Sequence, residues 1–169
     1  YHGDCREILP QLDCKVDLVL TDPPYGIGKA EWDNMRFNVQ VLNTIKTNVL
    51  GLMPGVWNIL ACPSTMGELQ YKWVLIAHLI NGMTRGGMGF GNYIPCLVYT
   101  SGAKSVFDKS TDCLDVIVGS ENKPEHPSPK PERVIQWFIE RLSAQDNLIL
   151  DPFLGSGTTC YCAKKLNRH

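Results

Sequence analysis

Val16-Asp17-Leu18-Val19-Leu20-Thr21, running directly into Asp22-Pro23-Pro24-Tyr25, is the stretch that decides how this chain folds. The run is short, nearly continuous in apolar residues, and stopped by two prolines. Such segments fit strands buried on both faces, as in a parallel sheet, better than half-exposed hairpin strands. A second stretch is built alike: Asn147-Leu148-Ile149-Leu150 leads into Asp151-Pro152-Phe153-Leu154-Gly155-Ser156-Gly157-Thr158-Thr159. In both, an apolar strand delivers an aspartate and a proline to its C-terminal tip. The functional reading depends on those two tips being neighbours.

Outward from the first stretch, Gly26-Ile27-Gly28 frees the backbone for a loop towards Trp32 and Asp33. Val39, Leu42, Ile45 and Val49 recur at helical spacing, which predicts a helix over 37–50 closed by Gly51. Val56 to Cys62 reads as a buried strand and Met66 to Tyr71 as a short helix. Trp73 to Ile80 reads as a further strand, with Trp57 and Trp73 in the core. The glycine-rich segment from Asn81 to Asn92 is expected to be a loop. Tyr93 to Tyr99 is expected to be a strand, with Pro95 marking an edge or bulge and Cys96 in the core. Asp115 to Val118 is a short strand, and Glu121 to Pro131 is too rich in proline to be helical. Pro131-Glu132 then opens an amphipathic helix through Val134, Ile135, Phe138, Ile139 and Leu142, and Thr158 to Asn167 forms the last helix. At the start, Gly3-Asp4 is expected at a strand end, ahead of a short helix. This alternation predicts an α/β protein of one domain, residues 1–169: a Rossmann-like, mostly parallel central sheet with helices on both faces.

The chain has 169 residues, of which 44% are apolar, enough for a core without disulfide or metal staples. Its net charge of -1 gives no global basic excess, so contact with phosphates would have to come from a local face. Seven cysteines without a CxxC pair suggest reduced thiols and a cytoplasmic protein. No metal site is expected, since His78, His126 and the cysteines show no ligand pair at finger-like spacing. No leader and no apolar run near membrane-spanning length is seen, so neither secretion nor a membrane partner is expected. The chain opens inside what already looks like an element and stops at Leu166-Asn167-Arg168-His169, near a helix end, which suggests a fragment cut short at its C-terminus.

The two tips suggest a chemistry. The lone pair of an exocyclic amine on a nucleobase is delocalised into the ring, so alkylating it requires acceptors that favour the pyramidal nitrogen. The Asp22 carboxylate and the Pro23 carbonyl can each accept an amine hydrogen, and Pro24 fixes the aim of that carbonyl. Tyr25 offers a stacking face, worth roughly 1–3 kcal/mol for an extruded base. Gly155 and Gly157, between a strand tip and a helix start, let a ligand approach the backbone. The loop lacks the lysine of a triphosphate-binding P-loop, and Cys160 stands where a dinucleotide fingerprint has its third glycine.

Asp22-Pro23-Pro24-Tyr25 resembles the catalytic DPPY motif of the DNA adenine-N6 and cytosine-N4 methyltransferases, and Asp151-Pro152-Phe153 with Gly155-Ser156-Gly157-Thr158 resembles their S-adenosylmethionine loop. His126-Pro127-Ser128-Pro129-Lys130-Pro131 is similar to the HPxxKP motif that precedes that loop in permuted members, and Gly3-Asp4 matches the GD pair before DPPY. The motif order is that of the β class. The resemblance implies a DNA partner and S-adenosylmethionine as cofactor. Catalytic roles then fall to Asp22, Pro23, Pro24 and Tyr25, and cofactor contacts to Asp4, Lys130, Asp151, Phe153, Gly155, Ser156, Gly157 and Thr158. Asp in the first motif position leans towards adenine over cytosine.

The sequence departs from the family pattern in two respects. No strand with a ribose-holding acid follows the glycine-loop helix, and Ser101 to Lys123 is short for a target-recognition region. Arg85, Lys104 and Lys109 are candidate phosphate contacts, and Trp32 a candidate border of the base pocket. Three rival readings stand beside this one. One is cytosine-C5 chemistry at Pro95-Cys96, which would leave the DPPY motif without a role. Another is a noncatalytic binding remnant of the fold, and the third is a nucleotide hydrolase.

Overall fold

The computed structural model describes residues 1–28, 33, 38–82, 84–86, 89–102, 111–119 and 129–169. Trp32, Lys104, Lys109, His126 and the side chain of Arg85, singled out above, lie outside the described residues. The elements in chain order are α1 (Cys5–Ile8), β1 (Leu18–Thr21), β2 (Val49–Leu52), β3 (Thr65–Met66), β4 (Leu69–Leu79), β5 (Thr84–Gly86), β6 (Gly89–Gly91), β7 (Tyr93–Thr100), β8 (Cys113–Val116), α2 (Glu132–Leu142), β9 (Ile149–Leu150) and α3 (Thr158–Lys165). No described helix is long and apolar enough to cross a membrane.

The main sheet has the order β3-β4-β7-β2-β1-β9, with β8 also on β4, and β5 and β6 form a separate ribbon. It corrects the expected mostly parallel, Rossmann-like sheet. β1 runs parallel to β2 and β9, and β8 parallel to β4. The longest ladder, β4 with β7, is antiparallel, as are β2 with β7 and β3 with β4, so antiparallel pairing prevails. The physical reason is the connection. Parallel neighbours are usually joined by a helical crossover, whereas β4 is joined to β7 through the β5–β6 hairpin, a connection that suits an antiparallel neighbour.

The parallel expectation holds where the site lies. All four residues of β1 are buried, as a strand with a parallel neighbour on each side requires. Alternate residues serve two cores. Leu18, Leu20, Cys96 and Val98 meet Val134, Ile135, Phe138, Ile139 and Leu142 of α2 and Cys162 and Ala163 of α3. Val19, Leu50, Leu52, Leu97 and Tyr99 point the other way, onto Val39, Leu42, Met66 and Leu69. α2 and α3, the two longest described helices, therefore pack into one core. The opposite face is covered by the 3-10 turn Gln40–Thr44 and the β3–β4 hairpin, which corrects the expectation of helices on both faces.

That turn also replaces the helix expected over 37–50. Val49 belongs to β2, and Gly51 is a strand residue on which α2 presses, because a Cβ there would lie 2.8 Å from Leu142 Cδ1 and 2.9 Å from Leu20 Cδ1. Val56–Ala61, expected as a strand, is a 3-10 segment entered through Gly55 at φ +64°. Met66 to Tyr71 turns from β3 into β4 instead of forming a helix, and 81–92 holds the ribbon where a loop was expected. Trp57 and Trp73 are exposed, not core, whereas Cys96 is fully buried as expected. Pro95 lies past the end of the β2 ladder, where among the described strands β7 is paired with β4 alone and a missing N–H is tolerated.

Candidate active site

β1 and β9 are adjacent and parallel, so Asp22 and Asp151 leave the same edge of the sheet. The junction is fastened by Thr21 Oγ1, which donates to Asp151 Oδ1 at 2.7 Å across 130 positions of sequence. Between the tips lies a cavity of about 400 Å³, within the usual range for small-molecule sites. Asp22, Pro23, Pro24 and Tyr25 line it from one side, and Asp151, Phe153, Gly155, Ser156 and Thr158 from the other. Lys130, just before α2, completes the wall.

The Asp22 carboxylate is held at both oxygens. Tyr25 Oη donates to Oδ1 at 2.5 Å, and Lys130 Nζ donates to Oδ2. The same ammonium lies over the Tyr25 ring, 5.4 Å from its centroid. Burial first, and then the neighbouring Asp22 charge and hydrogen bond, push the Tyr25 phenol above its ordinary range, so it stays a neutral donor.

Asp151 is governed by burial, which raises its carboxyl above the usual carboxylate range. Hydrogen bonds from Thr21, from Thr159 and from the Phe153 N–H, the last at 3.1 Å, work against that rise, and the charge of Asp22 adds to it. The glycine turn enters α3 through Gly157, in the left-handed region at φ +79° as its N-cap; Gly157 shapes the loop without lining the cavity.

Asp4 is placed elsewhere. It caps α1, accepting from the Arg6 N–H at 2.8 Å and pairing with the Arg6 guanidinium, which together hold its carboxyl at about 2. It is not among the residues around the cavity. The sequence reading also missed the residues that support Tyr25. A Cβ at Gly55 would lie 3.1–3.3 Å from the Tyr25 ring atoms, so that glycine leaves room for the ring. Asn58 Nδ2 donates to the carbonyls of Tyr25 at 3.1 Å and Pro54 at 3.3 Å. Buried Asp33 accepts from the Gly26 N–H at 2.8 Å and so ties down the loop after the motif. Only the Pro-Gly pair before Val56 hinted at this; nothing in the sequence marked Asn58. Cys96, the rival nucleophile, is fully buried with its thiol pushed far above the usual range, which removes the case for cytosine-C5 chemistry.

A family model described as DNA methylase matches residues 100–169. The chain is 42% identical to the type II methyltransferase M2.DpnII of Streptococcus pneumoniae, over 99% of this chain and 81% of that relative. It is 38% identical to M2.LlaDCHI of Lactococcus lactis subsp. cremoris, over 99% and 80% respectively. Among solved structures, M1.HpyAVI in complex with SAM superposes with a TM-score of 0.77 at 23% identity, covering all of this chain and 89% of that one. The cytosine-N4-specific PvuII DNA methyltransferase superposes with a TM-score of 0.71 at 18% identity, over 99% of this chain and 78% of that one. With identity of this order sustained over nearly its whole length, the chain belongs to the S-adenosylmethionine-dependent DNA amino-methyltransferases, the N6-adenine and N4-cytosine family.

Proposed function

We propose that the chain methylates the exocyclic N6 amine of adenine in DNA, using S-adenosylmethionine, with the target base turned out of the duplex into the slot between Asp22 and Tyr25. The observation that carries this reading is the single cavity shared by the Asp22 tip and the Asp151–Thr158 loop. Methyl transfer requires donor and acceptor within bonding reach, and two parallel neighbouring strands supply that proximity. The cavity fits the cofactor in chemistry as well as size: Phe153 gives an apolar wall, Gly155 a close approach, and Asp22 a negative charge facing a cationic donor.

When bound, S-adenosylmethionine supplies an electrophilic methyl on a positively charged sulfur. Asp22 and the Pro23 carbonyl accept the amine hydrogens and so free the nitrogen lone pair to attack. On methyl transfer, which would leave the sulfur as a neutral thioether, the amine nitrogen would gain a positive charge beside Asp22. That carboxylate stabilises the charge until a proton leaves to water. Tyr25 holds the carboxylate in place through its hydroxyl and presents its ring to the base.

The test is labelled methyl transfer to unmethylated DNA, with digestion to nucleosides and mass spectrometry. N6-methyladenine is expected, and Asp22→Ala should lower the rate on the order of 10²–10³-fold while cofactor binding persists. N4-methylcytosine would reassign the base. Transfer undiminished in Asp22→Ala would remove the mechanism, and no transfer by either protein would favour a noncatalytic remnant.

A further inference from the structure

Lys130 occupies the place that the proposed substrate amine needs. Its ammonium donates to Asp22 Oδ2 and lies 5.4 Å from the centre of the Tyr25 ring. An incoming amine requires that carboxylate as acceptor and a base requires that ring as platform. The side chain is mostly shielded, at 15% exposure against 26% for Asp22, so the pair is not a freely solvated surface contact. The lysine neutralises the Asp22 carboxylate, which among the described residues also accepts from the Tyr25 hydroxyl.

We propose that Lys130 is a placeholder cation, displaced from Asp22 by the positive charge of the methyl donor, so that the base slot opens only after the cofactor has bound. This rests on the reading of the site as an amino-methyltransferase and specifies how it is regulated. The geometry follows from the transfer itself. The methyl must reach a nitrogen hydrogen-bonded to Asp22, so a bound sulfonium would come within a few ångströms of that carboxylate and of the ammonium paired with it. Two like charges so close in a shielded cavity repel strongly, and Asp22 can satisfy only one of them there. Lys130 precedes α2 by two positions, so its stem can swing without disturbing the helix.

Two cofactor analogues separate this role from a simple grip on the cofactor. Sinefungin carries a cationic amine at the methyl-bearing position, whereas S-adenosylhomocysteine has a neutral thioether there, and both keep the amino-acid carboxylate. Isothermal titration should show Lys130→Met and Lys130→Gln binding sinefungin on the order of tenfold more tightly than the wild type. S-adenosylhomocysteine should stay within about twofold, which also reports that the variants are folded, and Lys130→Arg should restore wild-type preference. Equal weakening of both analogues would overturn the proposal, because it would mean that Lys130 grips the shared carboxylate; unchanged binding of both would overturn it too. Failure of the wild type to bind either analogue would instead sink the cofactor reading, and the placeholder role with it.

Discussion

At the scale of single residues, the site is a set of constrained carboxylates. Asp151 sits at the strand junction with its carboxyl raised above the ordinary range by burial. An acid whose native pKa is raised holds its proton more tightly folded than unfolded. The native state therefore loses stability as pH climbs from the ordinary carboxylate range through the raised native value, and the loss is complete above it. Asp151→Asn keeps an oxygen for Thr21 and the Phe153 N–H and removes that penalty. The variant is expected to melt above the wild type at neutral pH, with the gap closing as pH falls into the ordinary carboxylate range. Thermal melts across pH check this, and a gap widening towards acid would contradict it. The aspartates and Tyr25 were legible because each follows an apolar strand and carries chemistry of its own. Asn58 and Gly55 were not, because their work is done on Tyr25 through a fold that brings 33 positions of chain back upon itself.

At the scale of elements, the 3-10 segment Val56–Ala61 is a tether whose contribution reaches the site through one amide. Asn58→Ala deletes both hydrogen bonds from Nδ2 and is expected to cost about 1 kcal/mol of stability. The loosened Tyr25 loop should raise the KM for DNA several-fold while the cofactor Kd stays unchanged. Steady-state methylation with separate cofactor titration checks this split, and a change confined to the cofactor would refute the tether. The same element shows why local pattern failed here. Val56 to Cys62 is as apolar as a buried strand, yet Trp57 is 47% and Leu60 99% exposed. Likewise Val39, Leu42 and Ile45 are spaced for a helix, but β2 captures Val49 as a strand beside β1, and tertiary pairing overrides propensity. α2 was legible end to end because its apolar stripe and its proline start agree.

At the scale of the molecule, the direction of the strands was the least visible property. β4 and β7 read as strands one at a time, but nothing within either says which way its neighbour runs. Only the short β5–β6 return between them does, and its glycines suggested a loop. The parallel trio β2-β1-β9 is buried on both faces around β1, whereas Phe90 of the ribbon is 68% exposed. Hydrogen exchange should follow that division, slowest at Leu18–Thr21 and its partners and fastest in 84–86 and 89–91. Comparable protection in the ribbon would mean that it is anchored by contacts beyond its own pairing.

The bond between Thr21 and Asp151 across 130 positions also sets a timetable for the chain as it leaves the ribosome. At about 5–20 residues per second, the edge of β1 that will later meet β9 emerges on the order of ten seconds before its partner exists. During that interval Leu18-Val19-Leu20 is an unpaired, uncharged strand margin, the kind of surface that sticks to other nascent chains or is held by a chaperone. Yield of folded enzyme should therefore respond to translation speed and chaperone supply more than its modest size suggests.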